Sequence, residues 1–166
     1  MKIYEYSPSH DKYTGAAVGA LIVIAFAVFV GGSFVPAYAG LFELAAVALA
    51  AAGILLCSRG LLTRYVYTVE TSDKSRDPLD DPDADLVITE IRGKVSRVVC
   101  RVSVKGGSIR RIRRDTPKPD APVFNYCPGL FPEDPCWFYP SEAEGGGGVK
   151  ILPDGKLFRL LGGKDE

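Results

Sequence analysis

The sequence predicts a membrane-anchored α+β protein. An N-terminal transmembrane α-helical hairpin is followed by a mainly antiparallel β domain, a small barrel or sandwich, with a short C-terminal helical turn. Three observations carry this. Residues 15–57 contain one charged side chain, Glu43, whereas the remaining charges crowd the rest of the 166-residue chain. Beyond Leu62 the continuous apolar run gives way to short segments alternating apolar and polar positions, the signature of half-buried strands. Clusters of Pro, Gly and Asp separate those segments, as turns require. The length fits one small domain with an appendage, and the uneven charge excludes an ordinary one-core soluble protein. Net charge is zero, so bulk electrostatics gives no argument for nucleic acid.

The hairpin comes first. Gly15 to Val35 carries no charge, and as a helix it would reach about 31 Å, enough for a bilayer core. Pro36 interrupts, and Tyr38 to Cys57 is a second apolar run of spanning length. In lipid the backbone must satisfy its own hydrogen bonds, so helices are the expected form. A secretory signal competes with this reading because Ala37-Tyr38-Ala39 resembles a cleavage site, but the apolar run is longer than a signal core and a second run follows. Lys2 and Lys12 precede the first span, Arg59 and Arg64 follow the second, and the connecting loop has no Lys or Arg. The positive-inside rule then puts both termini of a multi-pass protein in the cytoplasm. Gly15 and Gly19 form a small-residue pair, open to packing within the hairpin or to homo-oligomerisation through the helices. Glu43 lies near the outer interface, within reach of water. The expected division is residues 1–14 as a tail, 15–57 as the hairpin and 62–166 as a cytosolic β domain.

In the β domain, Tyr65–Glu70 is rich in aromatic and β-branched residues. Residues 71–85 form an acidic, Pro-containing loop. Leu86–Ile91 and Val95–Val104 read as a strand pair across Arg92-Gly93-Lys94. In the second strand Val98, Cys100, Val102 and Val104 share one face, and Arg97, Arg101 and Lys105 share the other with Val95 and Val99. Ser108–Arg114, Phe124–Tyr126, Cys136–Tyr139 and Val149–Leu152 are further strands, with Gly145–Gly148 as a hairpin tip. Asp154 is placed to cap a final turn whose apolar contacts are Leu157, Phe158, Leu160 and Leu161.

Two spans leading into Tyr65-Val66-Tyr67-Thr68-Val69, then Val98-Val99-Cys100-Arg101-Val102, Asn125-Tyr126-Cys127 and Ile151-Leu152-Pro153-Asp154, resemble bacterial membrane-anchored proteins with a pleckstrin-homology-like (PH-like) β domain. The resemblance implies a PH-like barrel and a scaffolding or membrane-proximal interaction role, with no shared catalytic residues. Such barrels close with a longer C-terminal helix than the stretch after Pro153 allows, so a truncated helix or an open barrel is expected.

Catalytic motifs are absent from the sequence. The one histidine is His10, outside the β domain, so a cysteine nucleophile has no imidazole partner there. The eight-residue gap between Cys127 and Cys136 does not fit the close cysteine pairs of zinc sites; a disulfide between them needs an oxidising compartment. No cofactor is expected, and the chain reads as non-enzymatic.

Charge is more informative. Residues 92–118 hold ten basic residues against Asp115, while residues 70–91 hold eight acids against Lys74 and Arg76. Arg97, Arg101, Arg110, Arg111, Arg113 and Arg114 are the candidate lipid- or partner-binding residues. Either the acidic segment neutralises them, or they face anionic lipid headgroups of the inner leaflet or a protein partner. The lack of interleaved aromatics counts against nucleic acid. The alternative function is a small accessory subunit of a membrane transport or enzyme complex, with the hairpin as its working part.

Overall fold

The computed structural model describes residues 1–9, 12–72, 77–113, 115–116, 122–141 and 147–163. His10, residues 73–76 of the acidic loop, Arg114, Lys118 and Gly145–Gly146 of the glycine run lie outside the described residues. The chain forms two compact units: a helical one up to Thr63 that includes Gly129–Phe131, and a β unit made of Met1–Ser9, Arg64–Pro128 and the residues from Pro132 onward.

The helical unit pairs α1 (Lys12–Gly32) with α2 (Ala39–Gly60) across a 3₁₀ turn at Pro36–Tyr38, where proline's fixed φ suits the first helical position. Both helices are long and apolar enough to cross a membrane. Their packing seam is built from close approaches. A Cβ on Gly32 would lie 2.7 Å from Phe42 Cβ, and one on Gly60 would lie 2.7 Å from Thr14 Cγ2. Gly15 and Gly19 do not join this seam, since a Cβ on either meets nothing within 4 Å. Thr14 is fully buried, and its hydroxyl accepts from the Leu130 N–H at 2.8 Å. Away from the seam the surface is apolar, with Phe26 69%, Leu44 68% and Ile54 68% exposed.

Among the described residues the β unit holds two four-stranded sheets. The first has the order β1 (Lys2–Tyr6), β2 (Thr63–Glu70), β3 (Asp85–Arg92), β4 (Val95–Ser103). The second has the order β5 (Ser108–Arg111), β7 (Cys136–Tyr139), β8 (Gly148–Ile151), β6 (Val123–Asn125). The pairings β3–β4, β5–β7 and β7–β8 are antiparallel, while β6 runs parallel to β8. One core lies among them: Tyr67 and Val69 from β2, Leu86 and Ile88 from β3, Ile109, Phe138, Val149 and Ile151 from the second sheet, and Leu157, Phe158 and Leu161 from the C-terminal turn. The Tyr67 hydroxyl ties the sheets together, donating to the Tyr126 carbonyl at 2.8 Å and accepting from the Leu152 N–H at 3.2 Å.

Helix α3 (Gly155–Leu160) forms where the sequence places it, because Asp154 Oδ1 accepts from the Leu157 N–H at 2.8 Å. It ends at Gly162, whose φ of +85° is one that glycine adopts at little cost. The other Asp154 oxygen accepts from Tyr4 Oη at 2.5 Å.

Two expectations are corrected. Residues 1–14 are not a simple tail, because Lys2–Tyr6 forms β1 and pairs antiparallel with β2, Tyr6 opposite Tyr67. Its Lys-Ile-Tyr-Glu-Tyr pattern is too short to stand out, and its partner lies about sixty residues away beyond the hairpin. The face pattern of β4 is also broken. Ile88 pairs with Cys100 but Thr89 pairs with Val98, so Val99 is an extra residue in a bulge. The bulge reverses the alternation on its N-terminal side. Val98 is therefore exposed rather than grouped with Cys100 and Val102, and Val99 packs on the core.

Candidate functional site

The sequence-predicted arginines separate into two groups. Arg97 and Arg101 lie on β4, and their charges are met. The bulge places Arg97 directly opposite Glu90 on the core-side face of β3. Glu90 is only 4% exposed, a carboxylate at a position that continues the Leu86, Ile88 row. Arg97 Nε and Nη2 both donate to its Oε2 at 2.8 Å, and Arg92 donates to its Oε1 from Nε at 3.0 Å and Nη2 at 2.8 Å. Burial works to raise the Glu90 pKa, but the hydrogen bonds and charges of Arg97 and Arg92 outweigh it, and the net shift is downward. Arg101 reaches Asp85 at 2.9 Å and Glu70 at 3.1 Å. These last pairs are solvent-exposed and screened by water, so they hold the side chain in place more than they stabilise the fold.

The acids that meet Arg92, Arg97 and Arg101 thus come from strands β2 and β3, and Asp85 is the one that also belongs to the acidic segment 71–85. Asp77 and Asp81 of that segment hold the loop's own backbone and side chains. Asp77 Oδ1 accepts from the Leu79 N–H and Asp81 Oδ1 from the Asp83 N–H, each at 3.1 Å, as in Asx turns. Asp81 is buried and accepts from the Thr71 hydroxyl.

Arg110, Arg111 and Arg113 come together elsewhere. With Ile109, Thr116, Phe158 and Gly162 they line a cavity of about 510 Å³. The backbone holding them is fixed. Arg110 pairs with Trp137 and Arg111 with Cys136 across β5–β7. The Ile112 N–H continues the ladder to the Pro135 carbonyl at 2.8 Å. The Arg113 N–H donates to Thr116 Oγ1 at 2.8 Å, and the Thr116 N–H returns to the Arg113 carbonyl at 3.0 Å. The Arg111 guanidinium stands 4.9 Å over the Phe158 ring, a cation–π contact that orients it. Arg110 and Arg113 form no ion pair among the described residues. The clustering of these arginines was visible in sequence; their meeting with Phe158 and Thr116 was not, because it depends on where α3 docks.

A second cavity of about 440 Å³, lined by Tyr65, Glu90, Arg97, Val98, Val99 and Tyr126, opens beside the neutralised carboxylate. Its Tyr65 and Tyr126 rings meet edge-on at 5.9 Å.

All four cysteines are free. Cys136 lies on β7 and Cys127 follows β6, which pairs with the opposite side of β8. A whole strand stands between them, about 10 Å at ordinary strand spacing, beyond the reach of a disulfide. Burial pushes the Cys127 thiol up to about 12 and the Cys136 thiol up to about 11. Among the described residues no three His, Cys, Asp or Glu side chains converge as a metal centre would need.

No protein-family model matches the chain, and no curated protein or solved structure is significantly similar to it.

Proposed function

We propose that this is a non-enzymatic integral membrane protein of the bacterial inner membrane, whose cytosolic, PH-like β domain serves as a membrane-proximal interaction or scaffolding module. The observation that carries the reading is the way the hairpin is built into the domain. Its helices keep large apolar side chains exposed along their outer faces, which is costly in water and favourable in lipid. Both its ends run into the paired strands β1 and β2. A hydrogen-bonded strand pair cannot straddle a bilayer, so an inserted hairpin would have both ends on the domain's side. The arginines of β5 then give the tethered module a charged surface for anionic headgroups or a protein partner.

A second reading, an accessory subunit of a larger membrane complex, is favoured by Glu43. It is exposed on α2 and forms no ion pair among the described residues.

The test combines carbonate extraction with cysteine labelling. The exposed Ser96 gives the probe as Ser96→Cys, with Cys57 and Cys100 replaced by Ala. The anchor reading requires retention in carbonate-washed membranes and labelling by an impermeant maleimide only after lysis. Extraction by carbonate would refute the anchor, and labelling of intact cells would refute the cytosolic placement. A complex larger than the protein's own oligomer that is lost in Glu43→Gln would favour the second reading.

A further inference from the structure

We infer that the loop Gly129–Phe131 inserts Leu130 and Phe131 into lipid, at the end of the hairpin where α1 begins and α2 ends. This rests on the membrane-anchor reading and adds a third lipid contact, drawn from the chain beyond the two spans.

The loop belongs to the compact helical unit although it lies far beyond α2 in sequence. The Leu130 N–H donates to Thr14 Oγ1 at 2.8 Å, and Thr14 is fully buried. The same threonine faces the end of α2, since a Cβ on Gly60 would lie 2.7 Å from its Cγ2. Both helices therefore fix the loop to one level of the hairpin. Lys12 and Arg59 carry charge beside that level, and the uncharged run starts at Gly15. In an inserted hairpin it is the boundary between headgroups and acyl chains.

At this boundary the loop offers apolar surface. Phe131 interacts within the protein, yet 59% of its surface stays exposed, and Leu130 is 37% exposed. Tyr13 and Leu62, which flank the same ends of α1 and α2, are exposed too. Apolar and aromatic side chains grouped here are costly in water and favourable at the acyl boundary. The backbone suits the same environment. Pro128 and Pro132 have no N–H, and that of Leu130 is taken by Thr14, which leaves fewer donors needing water. Glu133 and Asp134 follow at once, and their charges hold the insertion at the interface. The occupant is lipid, continuous with the lipid around the exposed faces of α1 and α2, and the depth is that of an interfacial segment, about 5–10 Å.

The experiment uses the full chain in phosphatidylcholine vesicles, with Trp137→Phe removing its one tryptophan. A single tryptophan is then introduced by Phe131→Trp, by Phe26→Trp on the exposed face of α1, or by Ser96→Trp at an exposed position of β4. Quenching is read with lipids brominated along the acyl chain and with aqueous acrylamide. Bromine near the headgroup end of the chain should quench Phe131→Trp at least about twofold more strongly than Ser96→Trp, and acrylamide should do the reverse. Phe131→Trp behaving like Ser96→Trp with both reagents overturns the proposal. Protection from both reagents also overturns it, because protein rather than lipid would then cover the loop. Leu130→Trp repeats the measurement and decides it if Phe131→Trp does not fold. Failure of the anchor reading appears separately, as a Phe26→Trp signal that brominated lipid does not quench.

Discussion

Tyr67→Phe removes one oxygen atom and should cost the β domain about 3 kcal/mol. The side chain is fully buried, so the ring's packing is retained and the change isolates the hydroxyl. That hydroxyl makes two hydrogen bonds, to the Tyr126 carbonyl and from the Leu152 N–H. Each contributes about 0.5–1.5 kcal/mol net, and each lost partner becomes a buried unsatisfied group costing about 1–3 kcal/mol more unless water reaches it. Partial rescue by water brings the expectation to about 3 kcal/mol, or about 12–24 °C in Tm for a domain near 100 residues. The comparison is Tyr126→Phe, whose hydroxyl lies 3.5 Å from the Val99 carbonyl in a half-buried position. That bond is long, and its loss should cost about 0.5 kcal/mol. Burial raises the Tyr67 pKa well above 10, so the difference should be constant from pH 6 to 9. The assay is denaturant unfolding of the full chain in mild detergent, followed by Trp137 fluorescence. A Tyr67→Phe effect within about 0.5 kcal/mol of zero, or one no larger than that of Tyr126→Phe, would refute the bridging role.

Three further outcomes are expected. Glu90→Gln should destabilise by about 1–2 kcal/mol at neutral pH, discounted because its arginine partners are half-exposed. The folded pKa of Glu90 is lowered, so its contribution is present above the unfolded value near 4.3 and lost as pH falls through the folded value. A wild-type advantage that persists undiminished to pH 3 in melting experiments would contradict this. Cys127 and Cys136, with thiols pushed up to about 12 and 11, should alkylate at least about 100-fold more slowly than Ser96→Cys in the native protein. Mass spectrometry finding comparable rates would show that the thiols are open. Gly32→Val drives a side chain against Phe42 and should loosen the hairpin by about 1–3 kcal/mol. Gly19→Val enters open space and should leave the helical melt unchanged, so a loss of cross-linked dimer in that variant alone would point to a second copy on this face.

How much of this was legible in sequence depended on the range of each interaction. Cys136–Tyr139 falls where alternation puts it, and Asp154 caps the helix it precedes, because both are set by neighbours within a few residues. The strand β1 and the parallel pairing of β6 with β8 depend on distant partners and left no local signal. The arginine cluster was visible as composition, but its division was not. One extra residue at Val99 decides that Arg97 meets Glu90, and a bulge has no marker in a run of Val, Ser and Arg. Burial of the cysteines also changes how the protein must be probed: Cys127 and Cys136 would resist maleimide on either side of a membrane, so topology has to be read from an exposed position such as Ser96.

The insertion of the hairpin between β1 and β2 sets an order of assembly. Tyr6 leaves the ribosome about sixty residues before its partner Tyr67, and pairing them across a floppy chain would be slow. Once α1 and α2 have zipped together, the separation is only the short segments outside the helices. Shortening the effective loop from about 60 residues to about 10 removes about 1.5 kcal/mol of closure entropy. The hairpin therefore acts as a template for the first sheet. A fragment cut at Leu62 to make the domain easier to handle would lose both that template and β1. It would present β2 as a bare edge, an open invitation to strand exchange between copies.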